Sequence, residues 1–376
     1  MRHHVAARLG KPLLLALGAV LLAGCRPTVP RSATSAGPTR PGGGFSLDAV
    51  AFADRRVGWA AGTGVILRTT DGGASWQVVR RGRRPILELL APTPDVAVAV
   101  GDGRVLRTTD GGRRWTSAPT PAGQRVVSMA WADAAHGYAV ALPAARRAGV
   151  VEVFGTPVPP AGGTLWATAD AGRRWTRVAL IGSVQAVCAA SPATAYAVAG
   201  LTVWRLAAGA PLAPVFEAPL RVRDAPAAVV LCRGATVVAD WTDLDQGGLG
   251  HFPYVAFVSR DGGRSWQADV EEPYTHLGAA GVTAPAGPGT APGPLAVAPD
   301  GTVVYAGSSY GRGAILQSDA GSHVRRALPG PAILSAVAFV SRTVGFGVVG
   351  GPGPGGILRT TDGGRHWRRV YPAPVR

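Results

Sequence analysis

Long apolar runs are missing from this chain of 376 residues. The longest, Leu13 to Leu22, is shorter than the about 20 residues that a spanning helix needs. Helical periodicity is missing from everything after it, which argues against a helical fold for the bulk of the chain. Lysine is nearly missing: Lys11 is the only one, so all later basic charge is arginine, a uniformity closer to base composition than to selection for one ligand. Glutamate is scarce after the first residues, with Glu88, Glu152, Glu217, Glu271 and Glu272 the complete set. None of them sits in a phrase typical of a catalytic segment. Zinc-type His/Cys spacing, a Gly-x-Ser-x-Gly elbow and a phosphate loop are also absent, so motifs offer no catalytic residue and no cofactor site.

What is present begins with a targeting signal. Arg2, Arg8 and Lys11 precede the apolar run, and Leu22-Ala23-Gly24-Cys25 closes it with the small residues of a cleavage site. All four places fit a lipobox. Residues 1–24 therefore read as a lipoprotein signal peptide, and Cys25 as a lipidated N-terminus outside a bacterial membrane. Residues 25–44, rich in Pro, Gly, Ser, Thr and Arg, read as a flexible tether. Residues 45–376 show no second shift in composition and read as one domain, expected to be a monomer, with 47% hydrophobic residues in the chain to supply its core. The net charge of +16, reduced by three when the signal is set aside, attracts anionic partners at low salt, acidic lipid headgroups included, without specifying a nucleic acid.

One phrase recurs. Thr69-Thr70-Asp71-Gly72-Gly73-Ala74-Ser75-Trp76 returns almost unchanged at Thr108 to Trp115 and at Thr360 to Trp367, with looser copies at Thr168 to Trp175 and Ser259 to Trp266. A worn copy has Asp319 and Gly321, but Val324 where tryptophan is expected. The pattern describes an extended segment, an Asp-Gly turn and a return through an aromatic plate. Asp71, Asp110, Asp170, Asp261, Asp319 and Asp362 are expected to brace the turns by accepting backbone N–H bonds two or three residues on. Trp76, Trp115, Trp175, Trp266 and Trp367 anchor the returning strands.

These aspartates are separated by 39, 60, 91, 58 and 43 residues. The gap of 91 hides a decayed repeat, with strands at Ala186 to Ala190, Tyr196 to Gly200 and Thr202 to Leu206, and Ala207 in place of the aspartate. Seven repeats result. In the first, Ala49 to Phe52, Gly58 to Ala61, Val65 to Arg68 and Trp76 to Val79 read as four short strands. Seven units of four strands specify a β-propeller with the phrases in the turns between third and fourth strands.

The Val65-to-Gly73 phrase, its close copies and the preceding Phe…Gly-Trp segments resemble the Asp-box (BNR-type) repeat superfamily, most closely the photosystem II stability/assembly factor-like propellers. The resemblance covers residues 45 to 372. It implies an extracytoplasmic scaffold that binds other proteins and helps assemble or stabilise a membrane complex. Sialidase-like and xyloglucan-degrading propellers share the repeat, so it specifies fold more than function.

Loop placement directs the search for a site. The long insertions Ala141 to Gly163, Thr242 to Phe252 and Glu271 to Gly293 all fall on the face opposite the phrases, and long loops on a rigid scaffold are where binding resides. Arg80, Arg81, Arg83, Arg84, Arg146, Arg147, Arg221 and Arg223 form a candidate basic sector there. Asp240, Trp241, Asp243, Asp245, His251, Glu271, Glu272, Tyr274 and His276 form a mixed acidic and aromatic sector beside it. The stretch Asp240 to Gly247 lacks the terminal glutamate of an EF-hand loop, and no metal is assigned. Cys188 and Cys232 lie near the ends of inner strands of neighbouring repeats, as a disulfide or as two buried thiols.

The sialidase Phe/Tyr-Arg-Ile-Pro segment is absent before the first phrase, and a glycosidase needs two carboxylates about 5 to 10 Å apart across a cleft. Asp240 or Asp243 with Glu271 are the candidates for such a pair. The sequence thus favours a non-enzymatic scaffold for a membrane or extracytoplasmic protein. The alternative is a sialidase-like hydrolase or glycan-binding protein.

Overall fold

The computed structural model describes residues 45–101, 104–144, 151–153, 156–158, 163–179, 183–221, 226–243, 251–272, 277, 283–349 and 356–372. The signal segment, Cys25 and the tether lie outside these residues. So do Asp245, most of the long insertions, and Arg146, Arg147, Arg223, Tyr274 and His276.

The chain folds into seven antiparallel four-stranded sheets, each contiguous in sequence apart from an inserted hairpin in the third. Blade 1 takes Ala49–Phe52, Gly58–Gly62, Val65–Thr69 and Gln77–Arg81, and blade 2 takes Glu88–Leu90, Ala97–Gly101, Arg104–Thr108 and Thr116–Ser117. Blade 3 takes Gln124–Trp131, Gly137–Pro143, Thr164–Thr168 and Thr176–Arg177, with the hairpin Val151–Val153 and Thr156–Val158 inserted between its second and third strands. Blade 4 takes Val184–Ser191, Thr194–Ala199, Thr202–Ala207 and Ala213–Glu217, and blade 5 takes Ala227–Arg233, Thr236–Thr242, Tyr254–Ser259 and Gln267–Glu271. Blade 6 takes Ala291–Val297, Val303–Ser309, Arg312–Asp319 and Ser322–Ala327, and blade 7 takes Leu334–Phe339, Gly345–Val349, Gly356–Thr360 and Arg368–Tyr371. The first strands pack side by side around the ring, blade 7 against blade 1. The chain is a seven-bladed β-propeller, with no helix among the described residues.

The core is distributed. Seven apolar clusters fill the seven seams between neighbouring blades, because each sheet buries both faces against its neighbours. Middle strands therefore read as nearly continuous apolar runs. Thr236–Thr242 is buried at all seven positions.

The repeated phrase serves these seams. Thr69 Oγ1 donates to Asp71 Oδ1 at 2.7 Å and accepts from the Gly73 N–H at 2.9 Å, while the Ser75 N–H donates to Asp71 Oδ1 at 3.0 Å. The aspartate thus reaches four residues on, one residue further than its sequence spacing suggested, and the buried threonine hydroxyl links both ends. The phrase around Asp110 repeats this geometry. The second glycine must approach the previous blade. A Cβ on Gly73, at φ +75°, would lie 2.2 Å from Phe346 Cε1, and one on Gly112, at φ +86°, would lie 2.8 Å from Trp59 Cζ3.

A second stitch uses an arginine next to the hydroxyl residue that opens the phrase, before it at Arg68 and Arg107 and after it at Arg260. Arg68 lies over the Trp59 ring and donates to Pro94 O at 3.1 Å in the next blade. Arg107 does the same over Trp131 to Ala134 O at 2.7 Å, and Arg260 reaches Gly301 O at 2.9 Å. Where the phrase has decayed, the backbone contact persists: the Ala208 N–H donates to Ala193 O at 2.9 Å, as the Gly72 N–H does to Arg56 O.

The ring closes without shared strands. Phe346 of blade 7 stacks on Phe52 of blade 1 at 4.2 Å and meets Trp76 edge-on at 6.4 Å, and Ser335 Oγ donates to Leu47 O across the seam at 3.4 Å. Cys188 and Cys232 are bonded, joining the first strands of blades 4 and 5 with Cα atoms 5.7 Å apart.

Candidate functional site

Antiparallel order places the turns after first and third strands on one face, the turn face, and the connections after second and fourth strands on the other, the loop face. Fourth strands end on the loop face, so Arg80 and Arg81 close blade 1 there, and Arg83 and Arg84 follow in the connection to blade 2.

These arginines rim a cleft of about 300 Å³ between blades 1 and 2. Val65, Ile66, Ile86 and Leu106 line it with apolar side chains, and Arg80, Arg83, Arg84 and Arg104 supply its charge. Its walls come from the seam cluster itself, in which Ile66 is 1% and Ile86 is 8% exposed. No carboxylate lies within ion-pair distance of Arg80, Arg83 or Arg104 among the described residues. Apolar walls under the guanidinium groups of Arg80, Arg83 and Arg104 suit an apolar side chain with an anionic neighbour. Sequence reasoning missed Arg104. Its signal is the hairpin it opens, since the first residue of a third strand always returns to the loop face. Arg221 is exposed, but it lies between blades 4 and 5 and does not join the cleft.

The acidic and aromatic sector is not a surface where it is described. Trp241 is 0% exposed and donates from Nε1 to Gly200 O at 3.0 Å, as a core residue of the seam between blades 4 and 5. Asp240, Asp243, Glu271 and Glu272 are all buried. Burial pushes the Asp240 carboxyl up to about 7 against the lowering effect of the Thr242 hydroxyl, which donates to it at 3.0 Å. Glu272 Oε1 lies 3.2 Å from His251 Nδ1, and the Ala284 N–H donates to Glu271 Oε1 at 3.4 Å. The sequence reading fails here because these acids flank the middle strands of blade 5, which neighbouring blades cover on both sides. The carboxylates offered for a glycosidase pair, Asp240 or Asp243 with Glu271, are thus each buried rather than exposed across a surface cleft. Nor do three or more His, Cys, Asp or Glu side chains among the described residues come together to hold a metal.

On the turn face, Asp269, Ser318 and His323 meet in a cluster that superficially offers a nucleophile. Ser318 Oγ donates directly to Asp269 Oδ1 at 2.7 Å, His323 Nε2 lies 3.1 Å from the same oxygen, and Tyr305 donates to Oδ2 at 2.7 Å. Ser318 is 0% exposed. The hydroxyl points at the acid rather than at a substrate space, so the cluster is a buried polar bridge between blades 5 and 6. Burial also raises Glu88, on the first strand of blade 2, to about 8, opposed by the Met129 N–H of blade 3, which donates to it at 3.0 Å.

No family model matches the chain, and no curated protein matches it by sequence. Solved structures match it in fold. It is similar to a structure described as YCF48 bound to D1 peptide, with 18% identity over 84% of this chain and 92% of that one and a TM-score of 0.50. YCF48 from Cyanidioschyzon merolae is 15% identical over 88% of this chain and 86% of that one, with a TM-score of 0.36. An ancestral GH74 enzyme is 13% identical over 86% of this chain but only 44% of its own length, with a TM-score of 0.50. At these identities the likeness to the first and third of these structures establishes the propeller fold alone.

Proposed function

We propose that this chain is a non-enzymatic scaffold, anchored through a lipidated Cys25 on the extracytoplasmic side of a bacterial membrane, that holds a segment of another protein on its loop face and thereby assists assembly or stability of a membrane complex. The cleft between blades 1 and 2 carries the reading, with its apolar lining and the guanidinium groups of Arg80, Arg83 and Arg104. Its shape and charge fit an extended acidic segment with an apolar side chain, a demand that protein partners meet. The peptide-bound YCF48 structure supports it as a precedent for a propeller of this fold that binds a peptide.

In-cell photocrosslinking tests the reading. A crosslinker replacing Arg104 is expected to give a discrete adduct with one membrane protein. Arg80→Glu with Arg83→Glu should remove that adduct, whereas a crosslinker replacing Arg113 on the turn face should give none. Turnover of an aryl glycoside by the purified protein would instead support the hydrolase reading. The anchor is tested separately: Cys25→Ser should prevent acylation and release the chain from the membrane fraction.

A further inference from the structure

The two faces of the propeller place their charges differently. On the turn face, the exposed carboxylates Asp54, Asp71, Asp95 and Asp300 sit among that face's arginines. On the loop face, Asp240, Asp243, Glu271 and Glu272 are buried, and Glu217 is the single exposed carboxylate among side chains that are described. Beyond the arginines that line the cleft, Arg81, Arg221 and Arg312 are exposed there, on or beside blades 1, 4 and 6. Exposed positive charge thus predominates on this face among the described side chains, which suits an extended anionic surface better than a compact ligand.

The same face presents an exposed aromatic. Tyr310 forms the tip of the two-residue hairpin Ser309 to Arg312 and is 83% exposed, with φ at +49°. An aromatic residue in the left-handed region is costly, and asparagine or glycine would fill this turn without strain. Its ring meets His251 at 6.1 Å between centroids but otherwise projects outward. A tyrosine held this way beside arginine fits the headgroup layer of a bilayer, where its ring and hydroxyl meet media suited to each.

We propose that the loop face lies against the membrane, with Arg81, Arg221 and Arg312, outside the cleft, engaging anionic phospholipid headgroups and Tyr310 seated at the interface. Charge placement and Tyr310 carry this inference without the anchor reading above.

Hydrogen exchange of the full chain on vesicles, phosphatidylglycerol with phosphatidylcholine against phosphatidylcholine alone, tests this. Amides of 309–312 and 81–84 should be protected on the anionic vesicles, and those of 71–75 and 110–114 should not. Protection should vanish in 0.5 M salt. Arg81→Glu, Arg221→Glu and Arg312→Glu together should lower affinity for anionic vesicles at least about tenfold, whereas Arg55→Glu, Arg113→Glu and Arg173→Glu on the turn face should leave it unchanged. Equal protection of both faces, protection of the turn face, or none in a chain that remains attached overturns the proposal and spares the anchor. Release of Cys25→Ser from membranes with no face protected overturns the lipid face alone. Face protection in a chain whose retention ignores Cys25 overturns the anchor alone.

Discussion

At the scale of single residues, the repeated phrase holds together through more than its aspartate. The aspartate was expected to do the bracing. In the folded chain the threonine hydroxyl does as much, since Thr69 Oγ1 serves both Asp71 and Gly73. The glycines were read as turn formers, yet Gly112 is held by its neighbour as well as by its dihedral. Gly112→Ala should therefore destabilise the fold by about 2 to 4 kcal/mol, combining left-handed backbone strain with overpacking on Trp59. Gly123→Ala, at φ +68° with nothing within 4 Å of the added carbon, carries only the strain and should cost about 1 kcal/mol. Chemical denaturation of the two variants separates the contributions.

Titration at this scale runs in opposite directions on the two sides of the ring. Asp71 experiences partial desolvation, which raises it, but hydrogen bonds from Ser75 and Thr69 prevail and hold it at about 2. Its contribution is present above its unfolded value of 3.8 and is lost as pH falls through about 2. Glu88 is the reverse case. With a folded value of about 8 against 4.5, the native state holds a proton that the unfolded chain has released, so stability falls as pH rises between these values. Glu88→Gln keeps an acceptor for the Met129 N–H and removes the titration. It should raise the melting temperature by about 2 to 4 °C at pH 8.5 and leave it unchanged near pH 4.

At the scale of strands and turns, what was legible followed from period and offset. The four strands of blade 1 fall within two residues of their reading, and the decayed fourth repeat is present despite Ala207. Placement of the acids in blade 5 was not legible. Asp240 stands in a strand of ordinary length, and only the packing of a blade on each side shows that Thr236–Thr242 is enclosed throughout. The arginines beside the first two phrases were equally silent, because charge beside a turn reads as solvated. Arg107 instead lies over Trp131 and crosses to Ala134 O. Arg107→Ala should destabilise by about 1 to 3 kcal/mol, through the lost ring contact and the charge-assisted bond. Arg113→Ala, an exposed arginine in the next turn, should have no measurable effect in the same melt.

For the whole molecule, repeat counting predicts seven blades but says nothing about how the ring holds shut. Each blade is continuous in sequence, so no strand from one end of the chain completes a sheet at the other, and the seam between blades 7 and 1 depends on side chains alone. Phe346 is its centre, 0% exposed and in contact with Phe52, Trp76 and Gly73. The covalent bridge lies elsewhere, between blades 4 and 5, where it closes a separation of 44 residues and contributes up to roughly 4 kcal/mol by loop entropy. These two features assign different failures to different variants. Phe346→Ala should cost about 3 to 5 kcal/mol and speed hydrogen exchange first in the facing strands of blades 7 and 1, leaving blades 4 and 5 protected. Cys188→Ser with Cys232→Ser should lower global stability by a similar amount without opening the closure seam first, because the bridge acts mainly on the unfolded chain. Exchange that begins between blades 4 and 5 in both variants would show that the disulfide, rather than the aromatic closure, sets where the ring opens.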